Sequence, residues 1–226
     1  MEHSVLLVVL PLLALTMASQ LIIPCDAAQG EPIYDTDGHE LTKENLYHIL
    51  PADHKMSGLC LFVGSLTPLD CPLQAVVARC RPRGGDAVMV MSAETSGDSV
   101  PRLSSDVLLT FNNHTLNTCM MELQWHVEGV FDTHQMHVTL GHFLGAPVPS
   151  QTERRDIFRF RVERHGNGYK LQSCYKAPCR NLVLYDYKGY RWLTVEKDGR
   201  PPFGVVFKKC PWPCRPSMMP HAVMPN

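Results

Sequence analysis

Past its first 28 residues the chain lacks any apolar run near the length of a membrane span, lacks an excess of either charge, and carries hardly any helical stripe of apolar residues. The first absence predicts no membrane partner, the second gives no reason for recruitment by nucleic acid, and the third sets helices aside. Once Glu2 and Asp26 leave with the leader, 21 basic residues stand against 20 acidic ones, a formal charge of +1. The G-x-S-x-G pattern of a nucleophile elbow is also missing, so the chain is expected not to be an enzyme and to carry no cofactor.

What is present begins with a leader. Val5 to Leu15 is apolar apart from Pro11, and Thr16 to Ala28 turns small and polar, with Ala27 and Ala28 offering a cleavage point before Gln29. This is the form of a signal peptide, although Met1-Glu2-His3 supplies no Lys or Arg. Residues 1–28 are therefore set aside, and 198 of the 226 residues remain, enough to bury a core of their own.

The leader takes Cys25 with it and leaves eight cysteines: Cys60, Cys71, Cys80, Cys119, Cys174, Cys179, Cys210 and Cys214. An even count in an exported chain reads as four disulfides, with connectivity that sequence alone does not fix. The close pairs Cys174/Cys179 and Cys210/Cys214 have four and three residues between the sulfurs. Zinc knuckles more often use two, so no metal site is expected. Asn113-His114-Thr115 is a glycosylation sequon in such a compartment.

Short β segments separated by turn residues run through the rest. Strands are predicted over 46–50, 59–63, 73–78, 87–91, 107–111, 125–127, 137–140, 157–162, 169–174, 182–187, 192–195 and 204–208. Glycine-bearing clusters such as Asp37-Gly38, Gly166-Asn167-Gly168 and Asp198-Gly199 punctuate them. About a dozen strands without helices predict an all-β barrel or sandwich, and twelve would suit three units of four, of which the sequence carries only a weak echo. Residues 92–102 form a small, polar loop, and 210–226 a Pro-rich tail in which a Cys210–Cys214 bridge would close a small loop.

Three clusters take ordinary readings. His134, His137 and His142 lack a spaced Cys or carboxylate to complete a metal site. Asp35 and Asp37 would share a face of an extended segment, as the two carboxylates of a glycosidase pair do, but Asp37-Gly38 reads as a turn. Trp125 and Trp192 are expected in the core, and Trp212 in the tail.

Seven stretches, taken together, produce a resemblance. They are Ile33-Tyr34-Asp35-Thr36-Asp37-Gly38-His39-Glu40-Leu41, Tyr47-His48-Ile49-Leu50-Pro51, Cys71-Pro72-Leu73, Arg102-Leu103-Ser104-Ser105-Asp106-Val107, Cys119 followed by Trp125, Tyr169-Lys170-Leu171 and Val205-Val206-Phe207-Lys208-Lys209. In this order they resemble the plant Kunitz (soybean trypsin inhibitor type) family, and within it most nearly the cereal bifunctional α-amylase/subtilisin inhibitors.

The resemblance implies a β-trefoil, a pseudo-threefold barrel with a hairpin cap, over residues 29–209. It implies bridges Cys71–Cys119 and Cys174–Cys179, and leaves Cys60, Cys80, Cys210 and Cys214, whose pairing stays open; a Cys60–Cys80 hairpin bridge beside Cys210–Cys214 is one arrangement. It places a protease-binding loop at Ser92, Ala93, Glu94, Thr95, Ser96, Gly97 and Asp98, with Thr95 near the specificity pocket. That loop has no Lys or Arg, which points to a subtilisin-like or elastase-like partner rather than trypsin. The family's loop-bracing asparagine is missing, with Lys43 in its place and Asn45 two residues on.

A second face, for α-amylase, would use Ser104, Lys170 and Asp186, with Asn181 and Phe203 departing from the family's acid and tyrosine there. The expected protein is a monomeric inhibitor, secreted or held in a vacuolar seed store. The competing expectation is a non-inhibitory storage or ligand-binding trefoil. A lectin would carry repeated Gln-x-Trp motifs, and none occur.

Overall fold

The computed structural model describes residues 30–65, 73–81, 84–94, 100–112, 123–141, 156–211 and Cys214. The leader, Cys71, Cys119, Asn113, His142, Trp212, Thr95 to Asp98 and the end of the tail lie outside these residues. Everything described from Glu31 onward belongs to one compact unit.

Twelve strands follow in chain order. They are β1 (Leu46–Pro51), β2 (Leu59–Gly64), β3 (Leu73–Arg79), β4 (Ala87–Ser92), β5 (Asp106–Phe111), β6 (Trp125–Val130), β7 (Gln135–Leu140), β8 (Phe160–His165), β9 (Gly168–Ser173), β10 (Arg180–Tyr187), β11 (Tyr190–Val195) and β12 (Gly204–Lys209). Every predicted strand has a counterpart, most of them a residue or two longer. One starts later than expected: the strand predicted from Ile157 begins at Phe160, because Asp156 and Ile157 form a helical turn whose Asp156 carbonyl accepts from Arg159 N–H at 3.2 Å. Ile157 is buried in that turn, so its apolar character mimicked a strand.

The pairings close a ring. β1 pairs β4, β4 pairs β5, β5 pairs β8, β8 pairs β9, β9 pairs β12, and β12 returns to β1, all antiparallel. The other strands form the hairpins β2–β3, β6–β7 and β10–β11, which meet pairwise through β3, β7 and β11. Each run of four consecutive strands thus contributes two barrel staves and one cap hairpin. That threefold arrangement is a β-trefoil. The repeat was faint in sequence because what recurs is the alternation of buried and half-buried positions, as along β5, and many apolar residues satisfy it.

The inward positions build the core. Val107, Leu109 and Phe111 of β5 face inward with Phe160 and Val162 of β8 and Phe207 of β12, all at most 3 % exposed. Trp125, fully buried, packs on Phe111 at 5.3 Å and edge-on to Phe160 at 5.9 Å. Trp192 sits in a smaller cluster in the cap with Cys60, Phe62 and Val76. Burying side chains of this size contributes about 2–3 kcal/mol each, so the barrel and not the loops sets the stability.

Three disulfides are described: Cys60–Cys80, Cys174–Cys179 and Cys210–Cys214. The first ties β2 to the end of β3. The second closes the turn between β9 and β10. Among the described residues no helix is long and apolar enough to cross a membrane.

Candidate protein-contact site

The connection from β4 to β5 leaves the barrel at Ser92, the last residue of its strand, which is in register with Val107. Its incoming leg is fixed at once. Ala93 N–H donates to the Asp106 carbonyl at 2.8 Å, and Glu94 N–H donates to Ser92 Oγ at 3.2 Å. Ser92 and Ala93 are half-buried and Glu94 is exposed, so the chain rises from the surface at Glu94.

The outgoing leg is fixed by its own side chains and by the segment at Glu31 and Pro32. Pro101 is buried, Arg102 bridges to Pro32, and Leu103 N–H donates to the Glu31 carbonyl at 2.8 Å. Ser105 Oγ closes a turn by donating to the Arg102 carbonyl at 2.7 Å and accepting from Arg102 N–H at 3.3 Å. Ser104 holds a left-handed φ of 60°, a conformation a serine tolerates when it is hydrogen-bonded. Its N–H donates to the Val162 carbonyl at 3.1 Å, and its hydroxyl to Glu163 Oε2 at 2.8 Å.

Beneath the legs runs an open groove of about 950 Å³, walled by Ala93, Glu94, Asp106, Phe158, Arg159 and Arg161 among others. Arg161 Nε donates to Asp106 Oδ1 at 2.8 Å, and Arg159 Nη1 lies 3.4 Å from Asp106 Oδ2. These arginines were not singled out from the sequence. No local pattern links positions 106 and 161; only the β5–β8 register does.

Asn45 is held within its own turn. Its side chain donates to Thr42 Oγ1 at 2.8 Å and its N–H to the Thr42 carbonyl at 3.3 Å, bracing its own turn.

The second predicted face is partly assembled. Ser104 meets Glu163, which is the cross-strand partner of Lys170, so these three are contiguous. Asn181 Oδ1 accepts from Gln172 Nε2 at 3.0 Å, which places it beside β9 two residues beyond Lys170. Asp186 stands apart. It lies five residues further along β10, about 17 Å at strand rise, and its Oδ1 is 3.4 Å from Arg191 Nε. Phe203 requires a correction: at 4 % exposure it belongs to the core, so its ring has no surface to offer a partner. Its apolar character, which set it apart from the family's tyrosine, is what buries it.

The other clusters are structural. Asp35 Oδ1 accepts from Asp37 N–H and His39 N–H at 2.9 Å each, so the three groups gathered there build a turn. His134 sits in the β6–β7 turn with a φ of 52°, while His137 is fully buried and shares a 2.7 Å hydrogen bond with Thr133 Oγ1. Burial drives the His137 pKa down to about 4. Desolvation likewise raises the Asp86 pKa, offset in part by Val63 N–H and by the Arg81 charge. Both groups lie in or against the cap, away from the groove.

Comparison with known proteins identifies the family. The family profile described as trypsin and protease inhibitor, Kunitz legume type, matches residues 33–209. The α-amylase/subtilisin inhibitor of Oryza sativa subsp. japonica is 35 % identical over 203 residues, spanning 88 % of this chain and 94 % of that protein. Its counterpart in Hordeum vulgare is 32 % identical, spanning 83 % and 90 %. The solved rice bifunctional α-amylase/subtilisin inhibitor superposes with a TM-score of 0.62 at 30 % identity, covering 80 % of this chain and 99 % of that one.

Proposed function

Because the chain belongs to the Kunitz legume family of trypsin and protease inhibitors, we propose that it inhibits serine endopeptidases of the subtilisin class by presenting residues 92–98, and that α-amylase is a second target. The observation that carries the first part is the anchoring of both loop legs, from Ala93 N–H on Asp106 to the Arg102–Ser105 turn. A loop whose legs are already fixed loses little conformational freedom when a protease closes on it, and that saved entropy appears as affinity.

The specificity follows from composition. Ser92 to Asp98 contains no Lys or Arg to satisfy an acidic specificity pocket, so trypsin is disfavoured. The α-amylase reading draws support from the contiguous Ser104, Glu163 and Lys170 and from the names of the rice and barley relatives. Phe203, buried in the core, adds nothing to that surface, while Asp186 keeps an exposed carboxylate beside Arg191. Residues 29–209 are proposed as the inhibitory domain behind a signal peptide of 1–28 and ahead of a tail of 210–226. The disulfides fit a monomer that folds in an oxidising compartment and is then secreted or stored in a vacuole.

The test is titration of subtilisin, elastase, trypsin and an α-amylase with the purified mature protein. Subtilisin should lose activity in proportion to added protein while trypsin keeps its own. Four fully active enzymes in the presence of a molar excess would transfer the chain to the storage or ligand-binding class. Inhibition of trypsin alone would overturn the assignment of 92–98.

A further inference from the structure

Asp106 is the residue at which both legs of the β4–β5 connection meet. The incoming leg hangs on its backbone, through the 2.8 Å bond from Ala93 N–H to its carbonyl. The outgoing leg runs into it directly from the Arg102–Ser105 turn. Its carboxylate is held from β8 and the turn before it: Arg161, its cross-strand partner, donates from Nε at 2.8 Å, and Arg159 Nη1 stands 3.4 Å from the other oxygen. Arg159 is itself placed by Asp156, 3.5 Å away.

Side-chain exposures of 22 % for Asp106, 39 % for Arg161 and 40 % for Arg159 put this arrangement at the surface. An isolated pair there would contribute little. Two guanidiniums converging on one carboxylate, with a second carboxylate behind, form a network whose members fix one another's geometry, and the 2.8 Å bond is charge-assisted.

We propose that Asp106, gripped by Arg161 and Arg159, is the positioning residue that fixes the two legs of the 92–98 loop where they leave and rejoin the barrel. The inference rests on the reading of 92–98 as the protease-facing loop. The clamp acts through the peptide unit that Ala93 bonds: pinning the Asp106 side chain fixes the direction of its carbonyl, and that carbonyl fixes where the incoming leg leaves the barrel. A loop fixed at its base keeps the two sides of its reactive bond aligned after attack, and productive hydrolysis is slow. With the clamp released, the legs separate more readily and the same loop becomes a substrate.

Two measurements on the full mature protein decide this: hydrogen exchange of the Ala93 amide, and the rate at which subtilisin cuts the 92–98 segment. In Asp106→Asn and in Arg161→Gln, Ala93 should exchange about tenfold faster, the scale of one charge-assisted hydrogen bond. Core amides of β4 and β8 should keep their protection. Loop cleavage should accelerate by a similar factor, and Arg161→Lys should restore part of the protection. Arg161→Gln carries the test if Asp106→Asn fails to fold, since it leaves the Asp106 peptide unit intact.

Unchanged Ala93 exchange in the folded variants overturns the clamp. So does faster exchange without faster cleavage. Failure of the wild-type protein to inhibit subtilisin would instead sink the functional reading, and the exchange of Ala93 would still decide the clamp.

Discussion

Replacing Cys60 and Cys80 together with alanine tests how the cap hairpin is stabilised. The bridge spans 20 residues, and closing a loop of that length removes about 11 cal/mol/K of entropy from the denatured chain, or about 3 kcal/mol at 25 °C. Cys60 is 1 % exposed and packs with Phe62, Val76 and Trp192, so loss of its sulfur adds a small cavity cost of about 1 kcal/mol. The sum corresponds to a fall in Tm of about 10 °C for a chain of this size. Thermal scans and urea titrations without reductant measure it, and the urea m-value should rise because the unbridged denatured chain exposes more surface. The inhibition proposed for subtilisin should persist, since the β4–β5 connection leaves from the far end of β4. A loss below about 1 kcal/mol would refute the reasoning, showing that the six-pair β2–β3 hairpin already holds the denatured ends together.

Other outcomes follow from buried groups elsewhere. His137 is fully buried against Thr133, Tyr185 and Trp192, with a pKa of about 4 against 6.5 in an open chain. The unfolded chain binds the proton first, so the full stability stands above pH 6.5 and up to about 3 kcal/mol is lost as pH falls through 4. Urea titrations from pH 7 to pH 4 should show a flatter decline in His137→Gln than in the wild type. Gly168→Ala should cost about 2–4 kcal/mol in urea titration, because the new Cβ would meet the Val205 carbonyl oxygen at 2.5 Å. Gly189→Ala, with φ +79° and no atom within 4 Å, should cost only the left-handed penalty of about 1 kcal/mol.

The strands were legible because a half-buried strand writes itself as alternation, and Val107, Leu109 and Phe111 alternate with half-buried Leu108 and Thr110. Ile157 misled because a buried residue in a turn is as apolar as one in a strand. The threefold closure was not legible, since β1 meets β12 across more than 150 residues and register is a property of the folded ring. The same limit hid the site's supports. Asp106 and Arg161 are ordinary charged residues until β5 is laid beside β8, and Phe203 looked like a contact residue until its burial was seen.

The position of the β4–β5 connection in the trefoil ties its legs to the barrel. Its incoming leg leaves the last strand of the first four-strand unit, and its outgoing leg enters the first strand of the second. Its supports come from β5 and β8 of that second unit and from the N-terminal segment, where Glu31 accepts from Leu103 N–H and also pairs with Arg164. The long-range anchors, Asp106 for Ala93 and Glu31 for Leu103, hold their places only when the ring is closed, while the Ser92 and Ser105 contacts are local. Ordering the legs costs conformational entropy, and that cost is met when the barrel folds. A change that loosens the β5–β8 pairing, such as Phe160→Ala beneath Trp125, should then weaken inhibition without touching the contact surface, and by more than an equally destabilising change in the cap.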